Sequence, residues 1–274
     1  MQSLWHDGRA RKQDVTTSPV TSVLDGHVAT VRIDAPPHNF VSVDLLRALA
    51  DRVEALDEDV LCRVVVLASR GKNFCAGADF SSAELTVPLD PRPLYAQAMR
   101  LFGTRKPIVA AIQGAAIGAG LGLAMAADFR IGCPDTRFAA NFTRLGFHPG
   151  FGLSYTLPAA VGPQLAARMF YTGERIGAAH AHKIGLLDEL VASDQLQEAA
   201  NTFALEIARS APMAVQLTRE TLRLGFAQKV RAANERECAL QLEQFAHADF
   251  REGVAASAAR RLPKFLDRQL APPS

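Results

Sequence analysis

Lys106-Pro107-Ile108-Val109-Ala110-Ala111-Ile112-Gln113-Gly114-Ala115-Ala116-Ile117-Gly118-Ala119-Gly120-Leu121-Gly122 is the stretch that decides the fold. Ile108 to Ile112 is an unbroken apolar run and reads as a buried strand. A glycine-rich turn follows, and the small apolar residues near Gly120 to Ala127 read as a helix. The same order stands upstream, where Arg63 to Ala68 (RVVVLA) reads as a strand and Gly71-Lys72-Asn73-Phe74-Cys75-Ala76-Gly77-Ala78-Asp79-Phe80 as a second glycine-rich turn. Small residues at such a junction let backbone approach a ligand, and the first N–H groups of a helix lie unpaired at its positive end. Two such N–H groups aimed at one point make an oxyanion hole. Either segment alone is explained as well by tight turns and close packing.

Outward from these turns the chain keeps alternating. Asp25-Gly26 marks a hairpin between Val20 to Leu24 and His27 to Ile33. Leu45, Leu46, Leu49, Val53 and Leu56 recur at helical spacing, a further helix is expected near Leu94 to Phe102, and Phe129 to Ile131 reads as a strand. Repeated helix-strand alternation implies an α/β core with helices packed on largely parallel strands. Beyond about Gly152 strands become scarce, with helices expected at Gln164 to Tyr171, Ala178 to Ile184, Gln195 to Arg209, Met213 to Leu224, Lys229 to Ala246 and Arg251 to Phe265. The expected organisation is a loose tail over 1–18, an α/β core over 19–205 and a helical C-terminal region over 206–274.

Composition narrows the classes of function. The chain has 274 residues, 49% of them hydrophobic, enough to bury a large core. Its formal net charge is +2, so no global field recruits nucleic acid or an anionic membrane surface. The longest apolar stretch, Ile108 to Ala127, is interrupted by Gln113 and by glycines, which disfavours a membrane span. Cys62, Cys75, Cys133 and Cys238 lie far apart, form no CxxC pair, and suggest neither zinc nor disulfides, in keeping with a reducing cytoplasm. His180 and His182, two apart on a helix, do not share a face, so no metal pair is expected. Arg251, Arg260, Arg261, Lys264 and Arg268 recur at helical spacing without an aromatic stacking platform, which weighs against nucleic acid and favours a solvated face or phosphate contacts. A dinucleotide fingerprint fails because Leu123 stands where its third glycine belongs, and the chain contains no Walker loop and no Gly-x-Ser-x-Gly elbow.

Phe74-Cys75-Ala76-Gly77-Ala78-Asp79-Phe80 resembles the F-x-A-G-A-D-[ILF] signature of the enoyl-CoA hydratase/isomerase (crotonase) family, and Lys106 to Gly120 resembles its second signature. Similar residues continue through Ala127-Asp128, Phe138, Gly162, Gly173-Glu174-Arg175-Ile176, Gly185 to Val191 and Phe250-Arg251-Glu252-Gly253, so the resemblance covers roughly Val20 to Arg268. It implies a core of repeated β-β-α units with a helical C-terminal extension, and an acyl-CoA substrate with coenzyme A as part of that substrate rather than a tightly bound cofactor. It also implies that the N–H groups of Ala76 and Ala119 polarise the thioester carbonyl, that Ala78, Asp79 and Phe80 cradle adenine, and that His38 and Asn39 lie beside the pantetheine arm. Lys264 and Phe265 match positions that reach CoA from a neighbouring subunit, implying trimers or hexamers.

The sequence departs from the family where the proton is moved. The two glutamates of the family's hydratases are replaced by Gly122 and Phe142, and an acidic residue used by some isomerases is replaced by Gly150. His148 is the candidate substitute acid or base, because imidazole titrates near physiological pH. Asn141 and Ser154 are candidates to orient a water. Glu84, Cys75, Tyr95 and Tyr155 are weaker candidates, and a small buried cysteine or a core tyrosine is the plainer reading for the last three. Two alternatives remain open: another reaction on the same fold (C–C hydrolysis, decarboxylation or dehalogenation), or a non-catalytic acyl-CoA-binding protein.

Overall fold

The computed structural model describes residues 18–80 and 89–266, so most of the N-terminal tail, Glu84 and Arg268 lie outside the described residues. The chain opens with the hairpin β1 (Val20–Asp25) and β2 (Val28–Ile33), then α1 (Val43–Glu58), β3 (Val64–Ser69), α2 (Arg92–Leu101) and β4 (Ile108–Ile112). It continues through β5 (Ala115–Ile117), α3 (Ala119–Ala126), β6 (Phe129–Gly132), β7 (Arg137–Ala139), α4 (Leu153–Val161), α5 (Pro163–Thr172) and β8 (Arg175–Gly177). The remainder is α6 (Ala178–Lys183), β9 (Glu189–Leu190), α7 (Leu196–Ala208), α8 (Pro212–Leu222), α9 (Phe226–Phe245) and α10 (Ala248–Ala258).

Six strands form one sheet in the order β1-β2-β3-β4-β6-β9, antiparallel in the first pair and parallel thereafter, with Val28 opposite Val64 and Val65 opposite Ile108. Because side chains alternate across a strand, the apolar runs of β3 and β4 serve two cores. Val64, Val66, Val109 and Ala111 pack on Leu196, Ala200 and Ala204 of α7, while Val65, Leu67, Ala110 and Ile112 face α1 and α3. Helix α1 begins where Ser42 Oγ accepts from Leu45 N at 3.1 Å, and it buries Leu45, Leu46, Leu49, Val53 and Leu56. A smaller sheet has the order β5-β7-β8, parallel in the first pair and antiparallel in the second.

Three expectations are corrected. The second glycine-rich turn contains the strand β5, and β7, β8 and β9 add pairing where two or three residues are too few for a periodicity to show. The last helix ends at Ala258 rather than Phe265, since Arg260 sits at φ 54° and Pro263 follows. The boundary expected at 205/206 falls inside α7, which is the outer layer of the large sheet and not the start of a separate helical region. Among the described residues no helix is long and apolar enough to cross a membrane.

Candidate active site

The two glycine-rich turns are laced together. Cys75 N donates to Ala115 O at 2.9 Å and Ile117 N to Cys75 O at 3.1 Å, a short parallel pairing of Cys75 with Ala116. Asn73, which the sequence did not single out, reaches across with its Oδ1 accepting from Ala115 N at 3.1 Å. The approach is close enough to demand glycine. A Cβ on Gly120 would overlap the Cys75 carbonyl, and one on Gly77 would stand 2.9 Å from the Ile117 oxygen and 4.0 Å from Ala119 N. The Cys75 thiol is fully buried in this seam, and burial pushes its pKa up to about 12, so it is no nucleophile.

Of the expected donors, Ala119 stands at the first position of α3 and its N–H has no acceptor among the described residues. Ala76 does not match expectation: its N–H is donated to the His38 carbonyl at 3.1 Å. The open donor on that turn is Ala78. Val41 pairs with Ala78 in an isolated parallel bridge by donating to the Gly77 carbonyl at 2.8 Å, an arrangement that turns the Ala78 N–H away from Val41 and leaves it without an acceptor among the described residues. Gly77, at φ 97°, makes the bend between the engaged N–H and the open one.

Ala78 and Ala119 line one cavity of about 630 Å³ together with Ala76, Asp79 and Phe80. Its walls are apolar: Phe40, Leu94, Phe142, Leu145, Phe147 and Phe245 all face it. His38 and Asn39 do not line it. Asn39 is buried and fully engaged, with Oδ1 accepting from Ala35 N and Nδ2 donating to the Arg70 and Asn73 carbonyls, each at 2.8 Å, so it clamps the preceding loop onto the first glycine turn. His38 is exposed, its Nδ1 lying 3.1 Å from Asn73 Nδ2. Lys264 and Phe265 are exposed and away from the cavity, with Lys264 N donating to Glu252 Oε1 at 2.6 Å.

The positions where the resemblance leads one to expect acidic residues are closely packed. A Cβ on Gly122 would lie 2.5 Å from the Phe151 ring, and one on Gly150 would lie 2.5 Å from Gln241 Nε2 and overlap the Tyr95 hydroxyl. Phe142 and Phe147 meet edge to face at 5.5 Å, and Phe147 in turn touches Phe80, Phe245 and Phe250. His148 is not part of this lining. Its Nδ1 lies 2.7 Å from the Pro149 carbonyl, its N donates to Gln244 Oε1 at 2.6 Å, and its carbonyl accepts from Gln241, so the loop faces α9 rather than the cavity. Ser154 is exposed, and Asn141 lines the cavity.

A buried carboxylate that sequence reasoning missed holds this loop in place. Glu237 of α9 accepts from Gly152 N at 2.7 Å and from Ser154 N at 2.8 Å, capping α4, while Phe151, immediately before the first of these donors, is held at φ 65°. Burial raises the Glu237 pKa above its ordinary value, and these hydrogen bonds oppose the shift. Nothing in the local sequence signals the role, because the capped helix lies some eighty residues upstream.

The sequence profile described as enoyl-CoA hydratase/isomerase matches residues 24–268. The chain is 34% identical to the probable enoyl-CoA hydratase echA12 of Mycobacterium bovis, covering 91% of this chain and 94% of that one. It is also 34% identical to the 2,3-dehydroadipyl-CoA hydratase of Escherichia coli, covering 84% and 91%. Among solved structures, an enoyl-CoA hydratase/isomerase from Pseudoalteromonas atlantica superposes with a TM-score of 0.82 at 29% identity, over 90% of this chain and 100% of that one.

Proposed function

This chain belongs to the enoyl-CoA hydratase/isomerase family, and from that premise we propose that it is an enzyme of acyl-CoA thioesters that stabilises a thioester enolate between the N–H groups of Ala78 and Ala119. The observation that carries the reading is that both N–H groups lack an acceptor among the described residues and flank one apolar cavity. Donors fixed in advance where negative charge develops stabilise an enolate without reorganising, and in an apolar cavity they act with little screening. Coenzyme A enters as part of the substrate. Its adenine lies against Ala78, Asp79 and Phe80, and its phosphates suit an adjoining cavity of about 700 Å³ lined by Arg144, Arg175, Arg260 and Arg261. Arg261 is paired with Glu252, whereas Arg144, Arg175 and Arg260 have no carboxylate partner among the described residues.

Subunits assemble as a trimer or hexamer in a reducing cytoplasm. The exposed Met213, Leu217, Leu222 and Leu224 on and beside α8 support a further interface, the exposed Lys264 and Phe265 are free to reach a neighbour's CoA, and all four cysteines are unbridged.

The reaction is not that of a two-glutamate hydratase, since Phe142 and Phe151 fill the space such carboxylates need. The same observation favours a second reading, in which the enolate forms by loss of CO₂ from a malonyl-type thioester, a step that needs the donors but no base. Incubating the protein with saturated, 2-enoyl and malonyl-type thioesters in deuterated water separates the two. Deuterium uptake at the α-carbon of saturated thioesters, with the α-proton passing to a solvent water oriented by Asn141 in the cavity, is the expected result, unchanged in His148→Ala. CO₂ release without exchange selects the second reading, and binding without either reduces the protein to an acyl-CoA carrier.

A further inference from the structure

Most of the polar side chains that line the main cavity stand at its exposed mouth: Ser42, Asp79, Asp90 and Ser257. Tyr95 and Gln241 differ, being 5% and 0% exposed, with the Tyr95 ring edge to face against Phe151. They come from α2 and α9 and meet where a side chain on Gly150 would project, so they take the place of the missing acidic residue.

Their hydrogen bonds are incomplete in a defined way. The Tyr95 hydroxyl donates to Gln241 Oε1 at 3.1 Å, and Gln241 Nε2 donates to the His148 carbonyl at 2.8 Å. This leaves lone pairs on the Tyr95 oxygen and one N–H on Gln241. A hydroxyl group is the ligand that satisfies both, donating to Tyr95 and accepting from Gln241, whereas a saturated chain leaves two buried polar groups facing hydrocarbon. Burial raises the Tyr95 pKa, so the phenol stays neutral and keeps this pattern of donors and acceptors.

We propose that Tyr95 and Gln241 form the polar end of an otherwise apolar acyl pocket and select thioesters that carry a hydroxyl group on the acyl chain. The inference rests on the acyl-CoA reading above. It is tested by equilibrium binding of hexanoyl-CoA, 3-hydroxyhexanoyl-CoA and 5-hydroxyhexanoyl-CoA to the full chain. One hydroxylated thioester binds about tenfold more tightly than hexanoyl-CoA, the equivalent of one satisfied buried hydrogen-bonding site. Tyr95→Phe, which keeps the ring contact with Phe151, shrinks that ratio to about twofold or less, and Gln241→Met does the same. Equal binding of all three thioesters by the unaltered protein overturns the inference while leaving the acyl-CoA reading intact, and so does a preference that survives both substitutions. If none of the three binds, the acyl-CoA reading falls and this inference falls with it.

Discussion

In the two glycine-rich turns the groups aimed at the cavity are backbone N–H groups, at Ala78 and Ala119, whereas in the loop from Asn141 to Gly152 chemistry would have to come from side chains, and there stand Phe142, Phe147 and Phe151. A backbone donor depends on local geometry and survives a change of side chain. A carboxylate does not: at Gly122 and Phe142, where the resemblance leads one to expect acidic residues, the aromatic cluster occupies the space. The site therefore divides into a half that any chain with these turns would keep and a half specific to this sequence.

The largest expected effect comes from deleting a donor without disturbing the turn. Ala119 is the first residue of α3, a position where proline fits because its N–H makes no intrahelical bond. Ala119→Pro should lower turnover of any thioester by ~100-fold or more while thermal melting stays near that of the unaltered protein. Turnover that survives the substitution would mean that the backbone half is not used.

A smaller effect is expected from restoring a side chain in the other half. The Cβ of Gly122→Glu would meet the Phe151 ring, so the variant should lose about 1–3 kcal/mol in urea denaturation and gain no hydration of crotonyl-CoA. Wild-type stability together with new hydratase activity would show that packing does not bar the carboxylate.

The smallest effect concerns Glu237, which pins the aromatic loop. Its pKa is raised above 4.5 in the folded protein, so the folded state holds this proton to higher pH than the unfolded state does. That contribution to stability is complete below the ordinary carboxylate value and is lost as pH rises through the folded value. Denaturation midpoints should therefore fall relative to Glu237→Gln as the pH rises from about 4.5 toward neutrality. A constant difference across that range would contradict the assignment.

Much of this was legible in the sequence, for identifiable reasons. Strands buried on both faces, such as Val64 to Ser69, write continuous apolar runs, and α1 writes its buried stripe at helical spacing. Strands of two or three residues write nothing. The open N–H of the first turn lies two residues from the expected one: Ala76 and Ala78 flank Gly77 symmetrically in sequence, and only the acceptor at His38 distinguishes them. His148 looked catalytic because its loop was correctly located, but the direction it faces is set by Gln241 and Gln244, more than ninety residues away on α9. The Tyr95–Gln241 contact joins residues separated by 146 positions, and no local pattern announces it.

The central claim, that Ala78 and Ala119 hold a thioester carbonyl, is tested most directly by difference infrared spectroscopy of a bound acyl-CoA labelled with carbon-13 at the carbonyl. Two hydrogen bonds to that oxygen predict a carbonyl stretch shifted to lower frequency in the unaltered protein, with most of the shift lost in Ala119→Pro. A bound thioester whose stretch matches that of the free compound, or whose shift is the same in the variant, would contradict the account.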